Sequence, residues 1–162
     1  AAIELIEREG VEVIWVEKQS CCGQPAYTSG YQEQAKTVAL SQMGLFPEDY
    51  PIVVMSGSCA GMMFKHYPHL FANDDIYADQ AEAFAERVFE FSEFLAHICR
   101  AKLHDQGPLT SVVLHTSCSG RRELGIHASS QALLSQLDKV ELKKAEYESE
   151  CCGFGGSFSL RH

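Results

Sequence analysis

The stretch PIVVMSGSCAGMMFKHY, residues 51–67, decides the fold. Pro51 opens a continuous apolar run, Ile52–Ser56, of the kind found in strands buried on both faces of a parallel sheet. Gly57-Ser58-Cys59 then turns the chain into a short helix beginning "AGMMFKHY". A strand, a small polar turn and a helix make the unit of an α/β sheet, and in such sheets ligands gather at the carboxyl ends of the strands. Cys59 falls at that edge.

The same plan extends in both directions. "VEVIWV" (11–16) reads as a strand, short, β-branched and apolar, and so do "SVVLH" (111–115) and "VELKKAEY" (140–147). Ser29-Gly30-Tyr31-Gln32 has the S-x-x-Q form of a capping box, and Tyr31, Ala35, Val38, Ala39 and Met43 lie along one helical face after it. Residues 79–104 read as mostly helical with a break near Phe89–Ser92, because Phe84, Val88, Phe91, Leu95 and Ile98 step by four and three. Gly107-Pro108 is the clearest linker. The prediction is an α/β protein of two related repeats, residues 1–106 and 107–162, with mostly parallel sheets and flanking helices.

Cysteines occupy the strand ends. Cys21-Cys22-Gly23 and Cys151-Cys152-Gly153 come after the first and last predicted strands, and Cys59 and Cys118 after the other two. Chance placement of seven cysteines in 162 residues gives roughly 0.26 adjacent pairs, and this chain has two. Four readings compete. Free cysteines are often small buried hydrophobes, but that does not explain two CCG loops at strand ends. A disulfide between neighbours needs a strained ring. Structural zinc favours C-x-x-C knuckles, which the chain lacks. An iron–sulfur centre takes several thiolates, tuned by hydrogen bonds to sulfur. For that reading, Gly23 or Gly153 at positive φ would turn both neighbouring sulfurs toward one centre, and Gly57, Gly61, Gly155 and Gly156 would let amides approach.

Composition narrows the partners. Thirteen Lys and Arg against 22 Asp and Glu give a formal charge of −9, without the basic footprint of a nucleic-acid binder. No apolar run approaches the ~20 residues of a membrane span. With no secretory signal in view and an odd cysteine count, the cysteines point to metal or redox chemistry in a reducing compartment. The opening "AAIELIEREGVEV" reads as the back half of a helix entering a strand, with no Met before it. Further residues are expected ahead of Ala1, and beyond His162 as well.

The strings "CCGQPAYTSGY", "SGSCAGM", "RRELGI" and "ECCGFGGSFSL" resemble the cysteine-rich CCG domain, and within it the lactate utilization branch, related to the iron–sulfur subunit of glycolate oxidase and the CCG-bearing subunit of heterodisulfide reductase. The resemblance implies an iron–sulfur protein that works in the cytoplasm with two partner subunits to oxidise L-lactate, or a similar 2-hydroxy acid such as glycolate, to the 2-oxo acid. It implies Cys21, Cys22 and Cys59 as ligands of a first site and Cys118, Cys151 and Cys152 as ligands of a second. The motif's leading cysteine would lie ahead of Ala1 and its closing C-x-x-C beyond His162. Met62 and Ser119 stand where relatives have ligand-type residues. Two separate sites are therefore expected, each one ligand short, open to solvent, and stripped of any cluster by aerobic handling.

The alternatives are a zinc-binding scaffold subunit and a thiol–disulfide oxidoreductase. No motif for an organic cofactor is visible, so chemistry on the substrate is expected to reside in the assembled complex. Cys99, Arg121-Arg122 and His115 are weaker candidates. They read as a core residue, a solvated helix end or counter-charge, and a satisfied core histidine.

Overall fold

A computed structural model describes residues 1–151 and 153. Cys152 and residues 154–162, with Gly155 and Gly156 among them, lie outside the described residues. The chain is a mixture of helices and short parallel sheets. In one sheet β1 (Ile52–Val54) pairs in parallel with β2 (Val88–Glu90), with Ile52 opposite Val88 and Val54 opposite Glu90. In the other, β3 (Thr110–Val113) pairs in parallel with β4 (Val140–Lys143), Thr110 opposite Val140.

Parallel neighbours need a crossover, and helices supply it in both sheets. Three helices precede the first sheet: α1 (Ala2–Arg8), α2 (Gln24–Thr28) and α3 (Gln32–Met43). The chain leaves β1 into α4 (Gly57–Gly61), a widened π turn (Met62–His66), α5 (Tyr67–Phe71) and α6 (Ala78–Glu86). Pro68 explains the widened turn: it lacks the N–H that would bond the Phe64 carbonyl, and its ring would crowd that oxygen. A short α7 (Phe91–Glu93) runs into a second π turn, Phe94–Cys99. Past β3, a third π turn (Gly120–Leu124) and α8 (Ile126–Leu134) lead to β4.

Three local readings need correction. Residues 11–16 form no strand: they find no ladder partner among the described residues, and Ile14 and Trp15 stay 65% and 68% exposed. The Ser29 capping box does not form, because α2 occupies that stretch. Ser29 closes α2 through its amide to Pro25 and Ala26, and α3 starts after Tyr31. The helical spacing across 84–98 conceals β2. There the buried Glu90 ends the strand and caps the next helix, its carboxylate accepting from the Ser92 and Glu93 amides at 2.7 and 3.3 Å.

The larger core gathers Ala35, Ala39 and Met43 of α3, Met62, Tyr67 and Phe71, and Phe84 and Val88, with Cys22 at its margin. A smaller core joins Ile6 of α1 to Phe94, Leu95, Ala101 and Leu133. Among the described residues no helix is long and apolar enough to cross a membrane.

Candidate functional site

Cys59 and Cys118 each lie five residues past the end of a strand, β1 and β3, in the first turn of the helical segment after it. Each faces one cysteine of a CCG loop. The structure thus brings together Cys22 with Cys59, and Cys118 with Cys151.

At the first pair, Gly23 takes φ +85° and heads α2, and its amide donates to the Cys21 sulfur at 3.4 Å. A Cβ at that φ would be strained, so the turn requires glycine. Cys21 is exposed, whereas Cys22 is 3% exposed, and the Tyr67 hydroxyl donates to the Cys22 carbonyl at 2.9 Å. The expectation that this trio lies open to solvent therefore fails at Cys22, which the larger core covers. Hydrogen bonding from the Cys22 thiol holds Cys59 below the usual thiol range, at about 6, against burial and with help from Ser56 and Ser58. Cys22 is pushed upward by that same bond and by burial. Cys59 is thus the more acidic partner of the pair.

The second pair repeats the local chemistry in a more open place. Gly153 takes φ +72°, and its amide donates to the Cys151 sulfur at 3.4 Å. The Cys118 and Cys151 sulfurs stand 4.0 Å apart. Burial raises the Cys118 thiol, and its hydrogen bond with Cys151 raises it further. Cys152 lies outside the described residues. Among those residues no three His, Cys, Asp or Glu side chains stand close enough to hold a metal ion together.

The two cysteine turns meet. A Cβ on Gly57 would lie 3.3 Å from the Gly120 Cα, and one on Gly120 would lie 3.1 Å from the Gly57 Cα. Glu123 bridges them: one carboxylate oxygen pairs with His66 Nε2 at 2.9 Å and the other accepts from Ser119 Oγ at 2.5 Å. Gly61 leaves the room, since a Cβ there would collide with Glu123 Oε2. Neither Glu123 nor Tyr67 carried a signal in the sequence, because their partners lie 57 and 45 residues away.

Among the weaker candidates, Met62 is fully buried in the larger core and presents no ligand. Cys99 is half-buried against the smaller core, in line with a packing role. His115 is not a core histidine: it is exposed and its Nε2 meets the Glu150 carbonyl at 3.3 Å. Arg121 is not a solvated helix end but is bonded to several neighbours, while Arg122 is exposed.

The donor set is all sulfur, and backbone amides point at two of the sulfurs, which suits a thiolate-held metal group. Cys59 is ready to ligate at neutral pH without first losing a proton. Its thiolate fraction grows with pH, and the depressed pKa moves that rise downward. Iodoacetamide should therefore alkylate Cys59 with a midpoint near pH 6, read by peptide mapping. Cys22→Ala removes the donor and should move the midpoint up toward ~8.5, the value of a free thiol. An unchanged midpoint would refute the hydrogen bond from Cys22.

The family profile for the cysteine-rich domain CCG matches residues 1–64 and 112–162. Lactate utilization protein A 2 of Bacillus cereus (strain AH820) is 38% identical over 161 residues, covering 99% of this chain and 66% of the relative. Lactate utilization protein A 1 of Bacillus anthracis (strain CDC 684 / NRRL 3495) is 37% identical with the same coverage. Lactate utilization protein A of Bacillus subtilis (strain 168) is 38% identical over 161 residues, covering 67% of that protein. The chain thus spans about two thirds of the length of the curated relatives it matches. No solved structure matches it.

Proposed function

The chain belongs to the cysteine-rich CCG family, and from that premise we propose that it is an iron–sulfur subunit carrying electrons in the oxidation of L-lactate, or a similar 2-hydroxy acid, to the 2-oxo acid. The observation that carries the reading is the repeated thiol pair, one cysteine five residues past a strand and its partner in a CCG loop. We take residues 1–106 and 107–162 as two CCG repeats. Cys21, Cys22 and Cys59 would hold one group, and Cys118, Cys151 and Cys152 the other. The relatives' names supply the lactate assignment. The partners in this reading are the other subunits of a cytoplasmic complex, where the chemistry on substrate takes place.

A bound iron–sulfur group would supply reversible one-electron capacity. The chain's own residues prepare its ligands. The Gly23 and Gly153 amides donate to the Cys21 and Cys151 sulfurs and orient them. Before any group binds, hydrogen bonding from Cys22 favours Cys59 as thiolate, and Cys22 would release that proton on ligating in its turn. Tyr67, buried and with its own pKa raised by that burial, holds the Cys22 backbone and excludes water from one side of the first pair.

A second reading has its own observation. Zinc–sulfur bonds of about 2.3 Å in a tetrahedron place neighbouring sulfurs roughly 3.8 Å apart. The Cys118–Cys151 separation of 4.0 Å is close to that value. Anaerobic reconstitution with iron and sulfide, then metal analysis, separates the two. Brown protein whose visible absorption bleaches with dithionite is expected. Colourless protein carrying stoichiometric zinc under the same treatment would overturn the iron–sulfur reading in favour of a zinc scaffold.

A further inference from the structure

The loop between β4 and Cys151 has no regular structure, and its own backbone adds little order, with Glu150 bonding back to Tyr147 at 3.1 Å. Something else must hold Cys151 beside Cys118. Two side chains of the Cys118 arm reach the Cys151 loop: His115, through a single contact of Nε2 with the Glu150 carbonyl at 3.3 Å, and Arg121, which bonds both arms at once. Arg121 Nε donates to Thr116 Oγ1 at 3.2 Å, two residues ahead of Cys118, and Thr116 is buried. Its Nη2 donates to the Glu148 carbonyl at 3.3 Å, three residues ahead of Cys151, and meets His127 Nδ1 of α8 at 3.2 Å. Its Nη1 stands 3.9 Å from the Glu148 carboxylate.

We propose that Arg121 is the positioning residue of the second thiol pair: its guanidinium laces the turn bearing Cys118 to the loop bearing Cys151 and so sets the gap between the two sulfurs. The role comes from the shape of the group. A guanidinium offers five N–H donors in a rigid planar fork, so one side chain serves three partners on three segments at fixed angles. A lysine brings the same charge on a flexible stem and cannot reproduce the fork. Arg122 serves as the natural control, since it is exposed and carries the same charge close in sequence to Cys118. The positioning role stands on geometry alone; its consequence for metal binding rests on the function proposed above.

Two measurements on the full chain test it. In reduced, metal-free protein, 1,2-ethanediyl bismethanethiosulfonate links thiols only a few ångströms apart, and peptide mapping identifies the pair. The parent should give a Cys118–Cys151 link, and R121K and R121A should both lose most of it. R122A should match the parent. In a background where Cys21 and Cys59 are serine, cobalt(II) titration monitored by thiolate-to-cobalt absorption should show about tenfold weaker binding for R121K. If R121A fails to fold, R121K, which keeps the charge and is checked by circular dichroism, decides the test. A parent-level link in R121K, an equal loss in R122A, or no Cys118–Cys151 link in the parent would each overturn the proposal. Loss of the link in R121K with cobalt affinity unchanged would support the positioning role and overturn the metal reading of this pair instead.

Discussion

Cys59→Ser protein reconstituted with iron and sulfide should carry about half the parent's iron, because the proposed function gives the chain two thiolate sites and one of them loses a ligand. Cys22→Ser should do the same, although Cys22 is buried and Cys59 only partly so. Cys22 is itself a ligand in that reading, so its replacement takes a donor from the same site. The fold should survive Cys59→Ser, since a small side chain of similar shape replaces a half-buried one. Cys99→Ala provides the contrast. That residue sits at the end of a π turn against the smaller core, with burial raising its pKa and the charge of Glu9 adding to the effect. Its loss should leave iron content unchanged and lower stability by about 1 kcal/mol. Equal iron loss in Cys59→Ser and Cys99→Ala would remove the basis for assigning ligands by strand-end position.

The legible parts of the molecule were those that local chemistry controls. β1, β3 and β4 coincide with short apolar or alternating runs, and positive φ at Gly23 and Gly153 is what a cysteine pair that must turn requires. The break read near Phe89–Ser92 falls where β2 ends and α7 begins. The strand itself was hidden because Phe84, Val88, Phe91 and Leu95 fit an interrupted helix as well as they fit a helix, a three-residue strand and a new helix. The deciding group is Glu90, whose capping role depends on its burial. Residues 11–16 erred the other way, since β propensity without a ladder partner makes only extended chain. The cysteine spacing suggested two trios, of which the structure brings together Cys22 with Cys59 and Cys118 with Cys151. The contacts that set each pair were invisible, because Tyr67, Glu123 and Arg121 act across 27 to 57 residues.

The glycines show the same limit, and they lead to the largest effect expected on stability. Gly57 and Gly61 were read as giving amides access to sulfur; the structure uses them, with Gly120, to let the two cysteine turns touch. A Cβ on Gly120 would fall 2.5 Å from Ile126 Cδ1, 2.9 Å from Ser117 Oγ and 3.1 Å from the Gly57 Cα. The isoleucine methyl can swing aside, but the Gly57 backbone is fixed by β1 on one side and the helical run through Phe71 on the other. Overpacking of this kind costs about 2 kcal/mol for Gly120→Ala and about 3 kcal/mol for Gly120→Val, measurable by urea unfolding. Gly57→Ala should cost a similar amount, and the double alanine variant should depart from additivity, because both Cβ atoms press on one contact. Cys59 lies two residues after Gly57, and Cys118 two residues before Gly120. Forcing the glycines apart therefore displaces both cysteine turns, and under the proposed function Gly120→Val should lose metal at both sites while Cys59→Ser loses it at one. A Gly120→Ala variant within about 0.5 kcal/mol of the parent would place this position among ordinary surface sites and refute the contact.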